Sequence, residues 1–230
     1  MTDLIAADSW LVVDGHARAV ERHWARFSAA CGIDLAEFRA EVERAVPDRG
    51  RWFPRVELRE DGELFVRVRP APPRAPTVVA WVADVPDPRR APRRKGPDLE
   101  RLAALRERAA AHGAGEAVLA DADGRLLEGA FTSLLWWEGE TMWAVPDDAP
   151  ILPGITRALL IGLARDRDTP VAQRRPARHE LAGRETWLVS ALHGIRTVTR
   201  WTDGGPAAGD APRAATWQRL LDGVAARHAV

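Results

Sequence analysis

One residue stands apart by its type. Lys95 is the only lysine among 33 basic residues, the remainder being arginine. Where an amine must lose its proton and attack a carbonyl, arginine cannot serve, because its guanidinium stays protonated. A coding preference for arginine that left one lysine by chance gives the same count, so the count singles out Lys95 without assigning it. Lys95 closes the loop Arg89-Arg90-Ala91-Pro92-Arg93-Arg94-Lys95-Gly96. Burial and nearby cations both favour a neutral lysine amine. Arg93 and Arg94 read two ways, as such cations or as an exposed basic turn. Further along, Glu128 ends an apolar strand in Leu126-Leu127-Glu128-Gly129-Ala130-Phe131-Thr132-Ser133. A carboxylate there is either solvated or a partner that keeps a ring nitrogen protonated. Pro153-Gly154-Ile155-Thr156-Arg157 opens a helix, where unpaired N–H groups and the Thr156 hydroxyl suit an anion, or simply cap the helix. Ser190-Ala191-Leu192-His193-Gly194 is a turn whose small residues could bring backbone N–H groups to the same anion.

The elements that must position these residues follow from periodicity and turn residues. A strand over 8–14 ends at Asp14-Gly15. Helical spacing of Val20, Trp24, Phe27 and Ala30 predicts a helix over 17–31, with a second over 34–46 capped by Asp34 and broken by Pro47 to Gly50. Strands at 52–59 and 63–69 flank the hairpin signal Glu60-Asp61-Gly62. The proline-dense stretch 71–76 predicts a linker between a small domain, 1–70, and a large one, 77–230. After it come a strand at 77–85, a helix at 97–113, and strands at 116–121, 125–137 and 140–145. A helix at 154–166, strands at 169–175, 185–190 and 195–201, and a closing helix at 214–228 complete the chain. Trp136 and Trp137 alternate on their strand, so one is expected to face the core and the other solvent or a partner. Cys31, among apolar neighbours in its helix, reads as a small core residue. The pattern is α+β in two unequal parts.

Composition narrows the function classes. The chain has 230 residues, 46% of them hydrophobic and 29% charged, which is enough to bury a core. The 33 basic residues are balanced by 33 acids, so no net field draws the chain to nucleic acid or a membrane surface, despite 10 tryptophans that could stack on bases. No apolar run approaches the length of a membrane span. Met1 to Trp10 lacks a basic region followed by an apolar stretch, so no secretion signal is expected. A single cysteine excludes an internal disulfide and fits a cytoplasmic protein. No metal is called for.

Taken together, the four features resemble the fold-type IV pyridoxal-phosphate enzymes, the class IV aminotransferase family. Branched-chain and D-amino-acid aminotransferases and 4-amino-4-deoxychorismate lyase belong to it. The resemblance runs from about Asp8 to Trp201. Lys95 and Glu128 stand 33 positions apart, as the family's cofactor lysine and pyridine-nitrogen glutamate do. Gly115-Glu116-Ala117-Val118-Leu119 and Asp123-Gly124 are similar to the strand and turn leading into that glutamate. Ile151-Leu152-Pro153-Gly154-Ile155-Thr156-Arg157 is similar to the phosphate-cup helix start, and His23-Trp24-Ala25-Arg26-Phe27 to the helix whose arginine binds the phosphate.

The resemblance implies a small α/β N-terminal domain, truncated at its start, and a larger pseudo-barrel C-terminal domain. It implies pyridoxal 5'-phosphate as cofactor, bound as a Schiff base on the catalytic Lys95, with Glu128 on the ring nitrogen. Arg26, Gly154, Ile155, Thr156, Ser190 and Ala191 would hold the phosphate. His193 and Arg196 would approach the carboxylate of a small amino-acid substrate. The reaction would be transamination or the related lyase elimination, in a homodimer. A relative that kept the fold and lost turnover is the alternative. Two departures bear on the substrate pocket. The family begins with about two more strands and an aromatic-bearing glycine turn, and this chain has no tyrosine. Where aminotransferases of the family offer a phosphate-binding threonine, the residue here is Ala191, which could act only through its N–H.

Overall fold

The computed structural model describes residues 4–227. Met1 to Asp3 and His228 to Val230 lie outside the described residues, and with them the start of the Met1 to Trp10 stretch and the last residue of the expected closing helix. Contacts divide the chain into two units. The first takes the described part of Met1–Arg74 and of Asp222–Val230, together with Arg94–Pro97; the second takes Ala75–Arg93 and Asp98–Leu221.

The first unit starts with β1 (Leu4–Ser9), β2 (Val12–Val13) and β3 (His16–Arg18), followed by helices α1 (Val20–Cys31) and α2 (Ala36–Ala45). Strands β4 (Arg51–Trp52), β5 (Arg55–Arg59) and β6 (Leu64–Arg67) follow, and β15 (Ala225–Arg227) returns near the end of the chain. Two small sheets result, in the orders β1-β5-β6 and β15-β3-β2-β4. The expected hairpin is present, with Gly62 at φ 83° in its turn and Val56 opposite Val66 across the pair. The core beneath α1 and α2 is aromatic. Trp10, Trp24, Phe27 and Phe38 pack with Val42 and Val56, and Trp24 meets Phe38 edge to face at 6.3 Å.

Three expectations shift here. The strand over 8–14 is interrupted at Trp10-Leu11, because β1 pairs with β5 while β2 pairs with β3 and β4, in a different sheet. Helix α1 begins at Val20 rather than 17, since His16–Arg18 pairs as a strand and Ala19 takes a left-handed φ of 49°. Cys31, the last residue of α1, is only half-buried at the edge of this core.

The second unit is built on an eight-stranded sheet. Its strands are β7 (Thr77–Val82), β8 (Glu116–Ala120), β9 (Leu126–Gly129), β10 (Ser133–Glu138), β11 (Thr141–Ala144), β12 (Val171–Gln173), β13 (Thr186–Ser190) and β14 (Gly194–Trp201). Helices α3 (Leu99–Ala111), α4 (Ile155–Arg165) and α5 (Ala214–Asp222, its last residue counted with the first unit) complete the fold. The order β12-β11-β10-β13-β14-β7-β8-β9 leaves β9 on an edge, yet β9 packs against β10 from the far half of the sheet. The sheet is therefore curled into an open half-barrel, and the α+β pseudo-barrel class holds. The expected strand 125–137 is two strands, broken at Ala130–Thr132. That break is what lets the chain pass from one edge of the curled sheet into its other half.

The tryptophan expectation is overturned. Trp136 is 0% exposed and Trp137 4%, so neither faces solvent. Both faces of β10 are covered. Trp136 stacks on Trp143 at 6.2 Å, while Trp137 packs against Trp187 and against Trp217 of α5 at 5.4 Å. The closing helix was expected to reach residue 228; it stops at Asp222, and Ala225–Arg227 pairs with β3 instead.

Candidate active site

In the first unit, the backbone of Lys95 lies against β1, with the Ala7 N–H donating to the Lys95 carbonyl at 2.7 Å. Gly96 permits this approach. Its φ is +138°, and a Cβ built there would stand 2.8 Å from Ala6 Cα, a backbone atom that cannot swing aside. Gly96→Ala is expected to cost about 2–4 kcal/mol through backbone strain and overpacking, read as a lower midpoint in chemical denaturation. An unchanged midpoint would show that β1 does not fix this loop.

The Lys95 side chain keeps 25% of its surface exposed, and its Nζ lies 3.9 Å from Asp8 Oδ1. Asp8 has no exposed surface. Its Oδ1 accepts from the Ser9 N–H at 2.7 Å, His23 Nδ1 at 2.8 Å and Arg26 Nη2 at 2.8 Å, and its Oδ2 accepts from Arg26 Nε at 2.8 Å. His23 and Arg26 are three residues apart on α1 and so share the face that packs on β1. Burial pushes the His23 pKa down although Asp8 opposes it, so the ring is neutral. Because the carboxylate only accepts, Nδ1 carries the proton.

Arg26, His23 and Lys95 outweigh burial at Asp8 and hold its carboxyl well below the usual range. At Lys95 burial weighs most and brings the amine down to about 8. Asp8 works against that fall, and Arg26, Arg55 and Arg69 add to it. The cations that weigh most on Lys95 are therefore not its chain neighbours. Arg93 and Arg94 are exposed, and Arg93 donates to the Asp147 and Ala149 carbonyls at 2.6 and 3.1 Å.

In the second unit, Glu128 is 3% exposed on β9. Its Oε1 accepts from Arg89 Nη1 at 2.5 Å and from the Leu152 N–H at 2.7 Å. Arg89 is held in turn by Asp87, through Nε at 3.0 Å and Nη2 at 2.8 Å. Burial pushes the Glu128 carboxyl up to about 7, against the opposing pull of Arg89 and the Leu152 N–H. The base of this loop is tied by buried Asp98, which accepts from the Arg90 N–H at 3.1 Å and the Ala91 N–H at 2.8 Å.

Leu152 leads into Gly154, the residue before α4. A Cβ on Gly154 would stand 2.3 Å from Ser133 Oγ, so the helix start is pressed onto the start of β10. Ser133 pairs with Val189, and Ser190 ends β13 beside it. Glu128, Gly154, Ile155, Thr156 and Ser190 are thus assembled at one end of the curled sheet. Ile155 and Thr156 are buried, and no side chain caps the start of α4, so its first N–H groups have no partner within the helix. Ser190 Oγ accepts from the His193 N–H at 3.2 Å, which closes the turn around Ala191.

The two expected substrate contacts are engaged otherwise. His193 Nδ1 accepts from the Ala75 N–H at 3.2 Å. Arg196 is buried and donates through Nη2 to Glu116 Oε2 at 2.7 Å.

Asp8, His23 and Arg89 were not picked out by sequence reasoning. Asp8 had a signal, an acid set among the apolar residues of Leu4 to Val13. Arg89 had none, because its loop holds four other arginines or lysines of the same outward type.

Three comparisons bear on this arrangement. A family profile described as amino-transferase class IV matches residues 6–201. No curated protein matches the chain. Among solved structures, a hypothetical aminotransferase from Mycobacterium tuberculosis in its PLP-bound form superposes with a TM-score of 0.84 at 24% identity, over 96% of this chain and 88% of that one. A branched-chain aminotransferase from Thermoproteus uzoniensis with norvaline gives 0.81 at 17% identity, over 94% and 84%. A putative 4-amino-4-deoxychorismate lyase from Legionella pneumophila gives 0.80 at 16% identity, over 95% and 90%. At these identities the likeness is one of fold.

Proposed function

The chain belongs to the class IV aminotransferase family, and on that premise we propose that it processes an amino-acid substrate with pyridoxal 5'-phosphate, by transamination or by the related elimination that releases 4-aminobenzoate. The observation that carries the reading is the setting of Lys95, the chain's only lysine, fixed to β1 through its carbonyl, with its Nζ 3.9 Å from buried Asp8 and its amine brought down by burial to about 8. At neutral pH about a tenth of such an amine is unprotonated, against less than a thousandth of an ordinary lysine.

The residues present fit the cofactor. Lys95 offers a condensable amine. Glu128 offers a buried carboxyl with both of its hydrogen bonds on Oε1. The start of α4 offers an uncapped set of N–H groups at Gly154, Ile155 and Thr156, with Ser190 and the Ala191 N–H beside it. When bound, pyridoxal phosphate supplies an aldehyde for amines and a ring that draws electrons from the substrate's Cα. Lys95 Nζ would be the group that holds the cofactor and, when free, the base placed to take the substrate's Cα proton. Glu128, with Oε2 left for a further partner, would hold a proton at the ring nitrogen. Arg26 is assigned to the phosphate by family resemblance; its Nε and Nη2 also hold Asp8. His193 and Arg196 remain candidates for the substrate carboxylate, each needing to release its present partner. A homodimer in the cytoplasm belongs to the same reading, by family resemblance.

The test is direct. Purified protein given pyridoxal phosphate is expected to take up one equivalent per chain, with a band near the visible edge. Offering 4-amino-4-deoxychorismate and, separately, amino acids with a keto acid then assigns the reaction by its product. A protein that takes up no cofactor overturns the reading. Uptake with no half-reaction on any substrate leaves only the non-catalytic relative.

A further inference from the structure

Asp8 is buried on β1 with four donors on its two oxygens, and the amine of Lys95 stands 3.9 Å from one of them. At that distance the amine feels the carboxylate's charge without a hydrogen bond to it. The reason lies in the crowding. Ser9 N–H, His23 Nδ1 and Arg26 Nη2 all converge on Oδ1, the oxygen nearest Lys95, so its lone pairs are already spoken for.

We propose that Asp8 is a positioning residue of the active site, whose carboxylate, held by Arg26 and His23, fixes the charge seen by Lys95 Nζ and so sets the pH at which that amine becomes a nucleophile. The inference rests on the functional reading above, and deepens it.

The groups acting on Lys95 come from four segments. Asp8 on β1 is the acid; Arg26 on α1, Arg55 on β5 and Arg69 after β6 are the cations. Arg55 is itself partly compensated by Glu57 at 2.6 Å. His23 is neutral and adds no charge. Remove Asp8, and Lys95 faces three guanidinium groups and burial with nothing opposing them. A close, hydrogen-bonded ion pair would do the opposite and hold the amine protonated, useless as a nucleophile. The crowded carboxylate at 3.9 Å lies between these extremes. Arg26 also depends on Asp8, which meets two of its nitrogens in a fork and so fixes the plane of the guanidinium.

A chain with one lysine allows the amine to be read alone. Trace acetylation of the cofactor-free full chain, quantified by mass spectrometry on the peptide containing Lys95, gives the fraction unprotonated as a function of pH. The native protein is expected to titrate near 8. Asp8→Asn is expected to lower that midpoint by about one pH unit or more, the usual effect of an opposite charge at this range. Losing Asp8 alone also removes the carboxylate on which the Arg26 guanidinium forks, so the same comparison is made between Arg26→Gln and the double variant Asp8→Asn, Arg26→Gln. The midpoint should again fall on adding Asp8→Asn. A change below about 0.3 pH unit in both comparisons, well short of the effect expected of a charge at this distance, overturns the proposal. Because no cofactor is present, the result stands whether or not the protein binds one.

Discussion

Lys95→Arg keeps a positive charge at the end of the loop and should leave the fold intact, yet turnover is expected to fall by at least about a thousandfold. The size follows from the two tasks given to one nitrogen. On the proposed reading Lys95 would hold the cofactor and then remove the Cα proton; general base work alone is typically worth about 10²–10⁴-fold. Arginine can do neither, since its guanidinium does not deprotonate at working pH. The substitution also separates chemistry from electrostatics, because the charge opposite Asp8 is retained. The visible band of the cofactor-loaded protein should vanish with turnover, and circular dichroism should be unchanged. Lys95→Arg that kept both band and turnover would show that the amine acting on the cofactor is not in this chain's loop at all. No other lysine could take over, because the chain has none.

Lys95 was legible in the sequence because its type is unique, and Glu128 because an acid closing an apolar strand is conspicuous at a fixed distance from it. The regular elements were legible where one periodicity prevailed, as in α1, α3 and the β5–β6 hairpin. Legibility failed where a segment's fate depends on distant partners. Ala130–Thr132 carries no proline and only follows a glycine, yet the strand breaks there because the curled sheet needs a crossing from β9 to β10. Trp136 and Trp137 alternate as a half-buried strand should, but α5 supplies Trp217 and covers the second face, which no local pattern announces. The acid beside Lys95 was hidden in the same way. Asp8 and His23 are 15 residues apart on different elements, and only the packing of α1 on β1 joins them. Of the two readings open for Arg93 and Arg94, the exposed turn is the one found: these chain neighbours of Lys95 are exposed, while Arg55 and Arg69, some 40 and 26 positions upstream, bear on its charge.

Glu128→Gln is the other substitution with a large expected effect, and it separates stability from catalysis. Glutamine keeps an oxygen for the Leu152 N–H and much the same shape, and Arg89 retains its fork on Asp87. The fold should survive. Turnover should nevertheless fall by about 10²–10³-fold, the usual loss when one preorganised charge facing the developing charge of the transition state is removed. Arg89→Met should behave differently. It strips Glu128 and Asp87 of their shared cation, and breaking a buried pair in this way costs about 3–5 kcal/mol. Both stability and turnover should drop.

The pH profile supplies an independent check on which group is responsible. Glu128 titrates near 7 in the cofactor-free native protein, above its unfolded value near 4.5. The native state therefore holds more protons between those values. The stabilising contribution of the protonated carboxyl is fully present below about pH 4.5 and is lost as the pH rises through about 7, a change of a few kcal/mol. In Glu128→Gln that part of the slope should disappear. A variant that unfolds with the native pH slope and turns over at the native rate would show that Glu128 is a structural acid, and that the ring nitrogen finds its proton elsewhere.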